Sequence, residues 1–210
     1  MKIVFQAFWA ACKDFYEEMF ILVGANLLWV LLAIPVITLP PATAGMYYLT
    51  NQVAHRKAVH LRMFFAGFKK YFVKSWLLAL LNLLVIVVLW VNYRFYGGFA
   101  AQWATMAQGL FVGLWVLWSA IQAYVFPMLL EQQEPRLLLA LRNAAFLAFA
   151  SPIAALVLGA VTLLLTALSV GLAFPFAFAL MAMIGLLANE VVLRQLVQLG
   201  VRQAEEELKG

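Results

Sequence analysis

The sequence predicts an all-α membrane protein, a polytopic bundle of five transmembrane helices with added amphipathic helices at the membrane surface. The first observation is composition: 67% of the 210 residues are hydrophobic, and the mean hydropathy is +0.97, whereas a soluble domain is about 45–50% apolar. The second is the spacing of charge, since residues 143–189 contain no charged side chain. A soluble core could not bury this much apolar surface, so lipid must solvate much of the chain.

Five apolar segments are long enough to cross a hydrocarbon layer of about 30 Å. The predicted spans are residues 19–39, 74–93, 106–130, 144–168 and 172–193. Residues 1–210 therefore form a single integral membrane domain, with only the loops and the two ends in water.

Residues 3–20 have the period of an amphipathic helix. One face carries large apolar side chains: Phe5, Phe8, Trp9, Cys12, Phe15 or Tyr16, and Met19. Asp14 and other polar residues lie elsewhere on the helix. This pattern predicts a helix at the membrane surface that leads into the first span, with a partner-docking helix as the alternative.

The first span is broken by prolines, which makes Pro35, Pro40 and Pro41 a candidate hinge. Pro41 is acceptable in the first turn of a new helix, because the N–H that proline lacks has no partner there. We expect that helix at 41–56, either interfacial or returning through the membrane. We favour the interfacial position, because Tyr47-Tyr48 and Asn51-Gln52 suit an interface better than hydrocarbon. A returning helix would make six spans and place the N-terminus inside.

Residues 57–73 form a basic amphipathic segment that we expect to face the cytoplasm and anionic phospholipid head groups. The candidate lipid-facing basic residues are Arg56, Lys57, Arg62, Lys69, Lys70 and Lys74. Beside membrane spans this cluster does not indicate a nucleic-acid partner. The same positive-inside argument places the C-terminus in the cytoplasm and the protein in the plasma membrane as a multi-pass protein.

Five polar side chains fall within the predicted spans: Asn26, Asn82, Gln122, Asn189 and Glu190. The simplest interpretation is that the amides hydrogen-bond neighbouring helices and that Glu190 pairs with Arg194 four residues later. The functional interpretation is a polar path through Asn26, Asn82, Gln122 and Asn189, or a partner contact at Glu190.

Catalytic chemistry is not indicated. His55 and His60 lie in a basic loop with no cysteine or carboxylate nearby in sequence. No phosphate-binding loop, nucleophile elbow or paired intramembrane acid is visible. We therefore expect no catalytic residue, metal site or cofactor, and we expect that the protein is not an enzyme.

The chain resembles the YesL-like family of bacterial integral membrane proteins, a domain family of unknown function. The resemblance rests on Asn26-Leu-Leu-Trp29, Pro35-Val-Ile-Thr38 and Pro41-Ala-Thr-Ala44 in this order, and it continues through Met63-Phe-Phe-Ala-Gly-Phe68. Tyr124-Val-Phe-Pro127 and Leu141-Arg-Asn-Ala144 match more weakly. The chain departs from the family at Pro40, where glycine is frequent, and in lacking an acidic residue before the Phe-Phe pair.

The resemblance implies an accessory role in bacterial carbohydrate uptake, because such proteins are often encoded beside sugar ABC transporters. It supplies no catalytic or binding residues. The expected function is a non-enzymatic partner of ABC permease subunits, and the alternative is a small transporter or channel in its own right.

Overall fold

The computed structural model describes residues 2–172 and 178–201. It confirms the all-helical fold class, with 84% helix and no strand in the described residues. The helices are α1 (Lys2–Glu17), α2 (Met19–Ala33), α3 (Leu39–Ala54), α4 (Arg62–Lys70), α5 (Phe72–Tyr96), α6 (Gln102–Leu130), α7 (Leu137–Ala150), α8 (Pro152–Leu172) and α9 (Leu180–Gln198).

Three of these helices, α5, α6 and α9, are long and apolar enough to cross a membrane. By the same measure of length and composition the number rises to five if α1–α2 and α7–α8, which are bent by 95° and 106°, each count as one broken span. The most apolar windows of α5 and α6 are only 17% and 28% buried, whereas that of α9 is 83% buried. The long apolar helices make this a membrane-embedded protein with α9 at its centre and α5–α6 at its edge.

The α1 helix packs through small side chains and exposes its aromatic ones. Ala7, Ala11 and Asp14 are fully buried, and the neighbour across this face is α9. Phe5 and Trp9 on the opposite side are more than two-thirds exposed. Small side chains let two helices approach closely, so the large apolar face is left for lipid or head groups.

The chain breaks between α2 and α3 at the prolines. Residues 34–38 are non-helical, and Val36 has a φ of 57°, a conformation that strains a β-branched residue. Pro40 and Pro41 lie in the first turn of α3, where proline removes no hydrogen bond.

The α3 helix is enclosed by the rest of the bundle. Eleven of its 16 residues are buried, among them Tyr47 and Asn51, and it contacts α2, α4, α5, α6 and α9. Two glycines bring α4 against it: a Cβ on Gly45 would lie 2.6 Å from the Phe64 carbonyl oxygen, and one on Gly67 would lie 2.5 Å from Tyr48 Cβ. The segment that was expected at the membrane interface is therefore a buried core helix.

The predicted fourth span, 144–168, is not one straight helix. It divides at Ser151, where α7 ends and α8 begins with Pro152 as its first residue. Proline at that position starts a helix but cannot continue one. The predicted fifth span, 172–193, overlaps α9, which begins at Leu180 and continues to Gln198. Residues 173–177, near the start of that predicted span, lie outside the described part of the chain.

The start of α1 and the end of α9 lie on the same side of the bundle. Ile3 and Gln6 of α1 line one cavity together with Val197 and Gln198 at the end of α9. The α3 helix runs parallel to α9, because Thr50 meets Gly185 and Arg56, just past the end of α3, meets Glu190.

Candidate functional site

Four charged side chains meet where α3 ends between α1 and α9; we call Asp14, Arg56, Glu190 and Arg194 the charged cluster. Arg56 Nη1 donates to Asp14 Oδ1, and Arg56 Nη2 lies 3.9 Å from Glu190 Oε1. Arg194 Nε donates to Glu190 Oε2 at 3.1 Å. Asp14 is 0% exposed and Glu190 5% exposed, so both carboxylates have left water and need these guanidinium partners.

The backbone places Arg56 in the cluster at a conformational cost. Lys57 N donates to Gln52 O at 3.1 Å and Arg56 N to Val53 O at 2.8 Å, which is the paired hydrogen-bond pattern of a Schellman helix end. Arg56 occupies the left-handed position of this motif with a φ of 56°, where glycine is usual because it has no Cβ. Arg56 thus makes its contacts with Asp14 and Glu190 from a backbone conformation that is unfavourable for a residue with a Cβ.

The charge of Arg56 is stabilised by its hydrogen bond to Asp14. The hydrogen bond to Asp14 raises the pKa of the Arg56 guanidinium above its ordinary value, with burial acting in the opposite direction. Arg56 therefore remains charged, and its side chain is still 56% exposed. The second carboxylate oxygen of Asp14, Oδ2, is buried without a hydrogen-bond partner in the described residues.

A set of amide and hydroxyl contacts continues from the cluster into the core. Asn51 Nδ2 donates to Glu131 Oε1 at 2.8 Å and to Asn189 Oδ1 at 3.3 Å. Asn189 Nδ2 in turn donates to Gly185 O at 2.8 Å and to Thr50 Oγ1 at 3.1 Å. These contacts join α3, α9 and the end of α6, so Asn51 and Asn189 stabilise the packing of the helices through interhelical hydrogen bonds.

His55 links the same region to α6. Its Nδ1 is 2.8 Å from the Asn51 carbonyl oxygen, which can only accept, so Nδ1 carries a proton. The other ring nitrogen, Nε2, is 3.4 Å from Glu131 Oε2. A second proton on either the imidazole or the carboxyl group is needed to make this contact attractive.

A cavity of about 560 Å³ opens beside the charged cluster. Its polar wall contains Gln6, His55, Arg56, Glu190 and Arg194. Arg194 uses only its Nε in the described contacts, so its two Nη groups remain to donate to an incoming oxygen. Guanidinium groups held in place by carboxylates can bind a carboxylate or phosphate in a bidentate manner.

The predicted intramembrane polar residues lie in three separate places. Asn26 Oδ1 accepts the backbone N–H groups of Met181 and Ala182 at 2.9 and 3.2 Å, so it caps the first turn of α9, as the packing interpretation predicts. Asn82 Nδ2 donates to Gln122 Oε1 at 3.1 Å, and Asn189 belongs to the α3–α9 contacts described above. Of these four residues, Gln122 alone lines one of the main cavities of the described chain.

The predicted basic residues divide into two groups. Arg56 pairs with the buried Asp14, although its own side chain is 56% exposed, whereas Lys57, Arg62, Lys69 and Lys70 are exposed without a described ion pair. The ammonium group of Lys74, like that of Lys70, lies over the Tyr71 ring, at 5.8 and 5.3 Å from its centre respectively.

Part of the charged cluster was visible in the sequence and part was not. The Glu190–Arg194 pair is present as predicted. Asp14 was assigned to the polar face of α1, and its meeting with Arg56 was missed. The available signal was the spacing of Ala7, Ala11 and Asp14, which places all three on one helical face. Among the described residues no group of three metal-ligating side chains occurs.

Comparison with known protein families matches part of the chain. The family model described as "Protein of unknown function, DUF624" matches residues 22–93, about a third of the chain, from α2 to α5. This region includes Asn51, His55 and Arg56 but not Asp14, Glu190 or Arg194. No curated protein and no solved structure matches the chain.

Proposed function

We propose that this protein is a YesL-like accessory subunit of bacterial carbohydrate uptake, non-enzymatic, which binds an ABC transporter permease in the plasma membrane. The family match and the motifs around Asn26 to Ala44 support the assignment to this group. The observation that carries a binding role is the 560 Å³ cavity, whose charged wall is Arg56, Glu190 and Arg194. Its preferred occupant is an acidic side chain or chain end of the partner, which the two guanidinium groups would receive.

The distribution of polar side chains favours a partner-binding role over a transporter or channel. A transporter or channel of the kind considered above needs a continuous polar route through Asn26, Asn82, Gln122 and Asn189. These residues instead make helix-to-helix hydrogen bonds in three separate places. Amide side chains in a membrane bundle commonly form hydrogen bonds between helices.

The same proposal places both chain ends and the cavity in the cytoplasm. The closeness of α1 to the end of α9 supports an even number of crossings, and the burial of α3 supports a returning helix protected from lipid by its neighbours. The proposed topology therefore has six spans, with the N-terminus inside. The exposed Lys57, Arg62, Lys69 and Lys70 would then face the anionic inner leaflet.

The experiment is photo-crosslinking in cells from a residue of the cavity wall. A benzoyl-phenylalanine at Val197, which lines the cavity and is 43% exposed, should crosslink to a permease subunit identified by mass spectrometry. The same group at Leu31 on α2, 61% exposed, is the control for random collision in the membrane. Equal crosslinks from both positions, or repeated isolation of the uncrosslinked protein alone, would contradict the proposal.

A charge-removing variant tests the chemistry of the cavity. Arg194→Gln should reduce co-purification of the permease, because it deletes one of the two guanidinium groups in the cavity wall. Arg142→Gln is the matched control, since Arg142 is exposed on α7 and lies outside the cavity wall. Equal recovery of the permease with both variants would remove Arg194 from the proposed contact.

A further inference from the structure

A second cavity, of about 810 Å³, lies between α6 and α8 with Tyr47 of α3 among its lining residues. Its α6 wall runs from Val112 to Ala123 and its α8 wall from Leu156 to Leu163. The lining is mostly apolar, with polar groups from Ser119, Gln122 and Thr162. A largely apolar cleft of this size with a few convergent polar groups is typical of a small-molecule site. We call this cavity the α6–α8 groove.

The groove has the length of one membrane leaflet. The twelve residues from Val112 to Ala123 extend about 17 Å along a helix that rises 1.5 Å per residue. A hydrocarbon core of about 30 Å gives each leaflet roughly 15 Å. A partner's transmembrane helix would need a groove as long as the whole hydrocarbon core, whereas one lipid chain needs a groove as long as one leaflet.

A chain of hydrogen bonds leaves one donor unused at one end of this groove. Trp118 Nε1, which can only donate, gives its proton to Asn82 Oδ1 at 2.9 Å. That contact fixes the orientation of the Asn82 amide, whose Nδ2 donates to Gln122 Oε1 at 3.1 Å. Gln122 is thereby oriented too, and its Nε2 is buried without a partner in the described residues.

The position of Gln122 matches the polar end of a lipid chain. It lies near the end of the groove closer to Leu130, the last residue of α6 and on the side that the basic residues predict to be cytoplasmic. Leu130 is eight residues further, about 12 Å along the helix. The 29 residues of α6 extend about 43 Å, so roughly 6 Å of helix projects beyond a core of about 30 Å at each end, and Gln122 lies about 6 Å inside the cytoplasmic boundary of the core. The opposite end of the groove, at Val112, lies just past the midpoint of α6. A chain entering from this leaflet would have its polar linkage near Gln122 and its methyl end near Val112.

We propose that the α6–α8 groove binds one acyl chain of an ester-linked bilayer lipid, whose ester carbonyl oxygen accepts a hydrogen bond from Gln122 Nε2. An unmatched amide donor in an apolar environment is unfavourable, and the carbonyl supplies the acceptor that the protein lacks there. Gln122 is itself one of the residues that line the groove. This inference is independent of the proposed permease contact.

The wall of the groove has open space at Gly159 for an added side chain. A Cβ added at Gly159, in the α8 wall, meets no atom within 4 Å. Gly159→Leu therefore occupies the groove. Gly113→Leu is the matched control, since a Cβ there also meets nothing within 4 Å and Gly113 is not part of the lining.

The test uses the full-length protein in nanodiscs that contain phosphatidylcholine with a diazirine in one acyl chain. After illumination, we expect labelled peptides from α6 and α8, most of the label lost in Gly159→Leu, and labelling retained in Gly113→Leu. Equal labelling of these two variants would overturn the proposal, as would labelling spread evenly over α2, α5 and α6.

A second arm tests the ester carbonyl. Gln122→Met should lower labelling by the ester-linked probe about fivefold, the effect of one hydrogen bond. It should leave labelling by an ether-linked probe, which has no carbonyl, unchanged. If both probes respond alike to Gln122→Met, the hydrogen bond to Gln122 is wrong.

Discussion

The close contact of α3 with α4 predicts a large effect of a single methyl group at Gly45. A Cβ there would lie 2.6 Å from the Phe64 carbonyl oxygen and 3.3 Å from Phe68 N. Ordinary contact begins near 3.4 Å, so α4 would have to move by about 0.8 Å, and Gly67 already rests on Tyr48 on the same interface. Overpacking of this kind costs about 1–3 kcal/mol.

The matched control is Gly113→Ala. Alanine favours a helix over glycine by about 1 kcal/mol at both positions, and at Gly113 the new Cβ meets nothing within 4 Å. The difference between the unfolding free energies of the two variants does not contain the gain in helix propensity, which both share. Gly45→Ala should therefore be less stable than Gly113→Ala by about 2 kcal/mol. For a chain of this length that corresponds to an apparent melting temperature lower by about 4–8 °C.

The assay is thermal denaturation of the purified protein in detergent, followed by the loss of the monodisperse peak in size-exclusion chromatography. A Gly45→Ala protein that melts at or above the temperature of Gly113→Ala would refute the packing of α4 on α3. It would also remove the argument that α3 is enclosed on that side.

Three further predictions use the same assay. Asp14→Asn should lower stability by about 1–3 kcal/mol, because the amide oxygen can still accept from Arg56 but the negative charge that strengthens this hydrogen bond is lost. Glu17→Gln, in an exposed pair with Lys13, should change stability by less than about 1 kcal/mol; equal effects would count against the buried pair. Asn26→Leu should cost about 1–2 kcal/mol through loss of the cap on α9, and an unchanged melting temperature would show that the cap is dispensable. Val36→Gly should raise stability by about 1 kcal/mol, since Val36 is 68% exposed and its φ of 57° suits glycine; a lower melting temperature would argue against the strained turn.

Much of the helical layout follows from features visible in the sequence. Uncharged apolar runs predict the long helices, and Pro35, Pro40 and Pro41 predict the break between α2 and α3. The Glu190–Arg194 contact follows from spacing on one helix. Each of these is a local property of the chain, in which a few neighbouring residues suffice for the physical argument.

The burial of α1 and α3 does not follow from hydrophobicity. In water the most apolar face of a helix is buried, but in lipid it can stay exposed while small residues form the protein contact. Phe5 and Trp9 therefore point outward and Ala7 and Ala11 inward. The inward face carries Asp14 with it, which is why its pairing with Arg56 depends on tertiary structure.

The α3 helix was misleading for a related reason. Its tyrosines and amides resemble an interfacial sequence, yet Asn51 and Thr50 find partners on α6 and α9. A polar helix is acceptable at membrane depth when protein surrounds it. The sequence pattern shows that such a helix is polar, but it does not show that other helices surround it.

The central claim is that α3 returns through the membrane, so that both chain ends and the charged cluster lie in the cytoplasm. The most direct measurement is labelling of a single cysteine at position 2, in a Cys12→Ser background, with a membrane-impermeant maleimide. A cysteine at Gly98, between α5 and α6, is the control for the outer side. In intact cells position 2 should be protected and position 98 labelled, with both labelled after permeabilisation. Labelling of position 2 in intact cells would contradict the account.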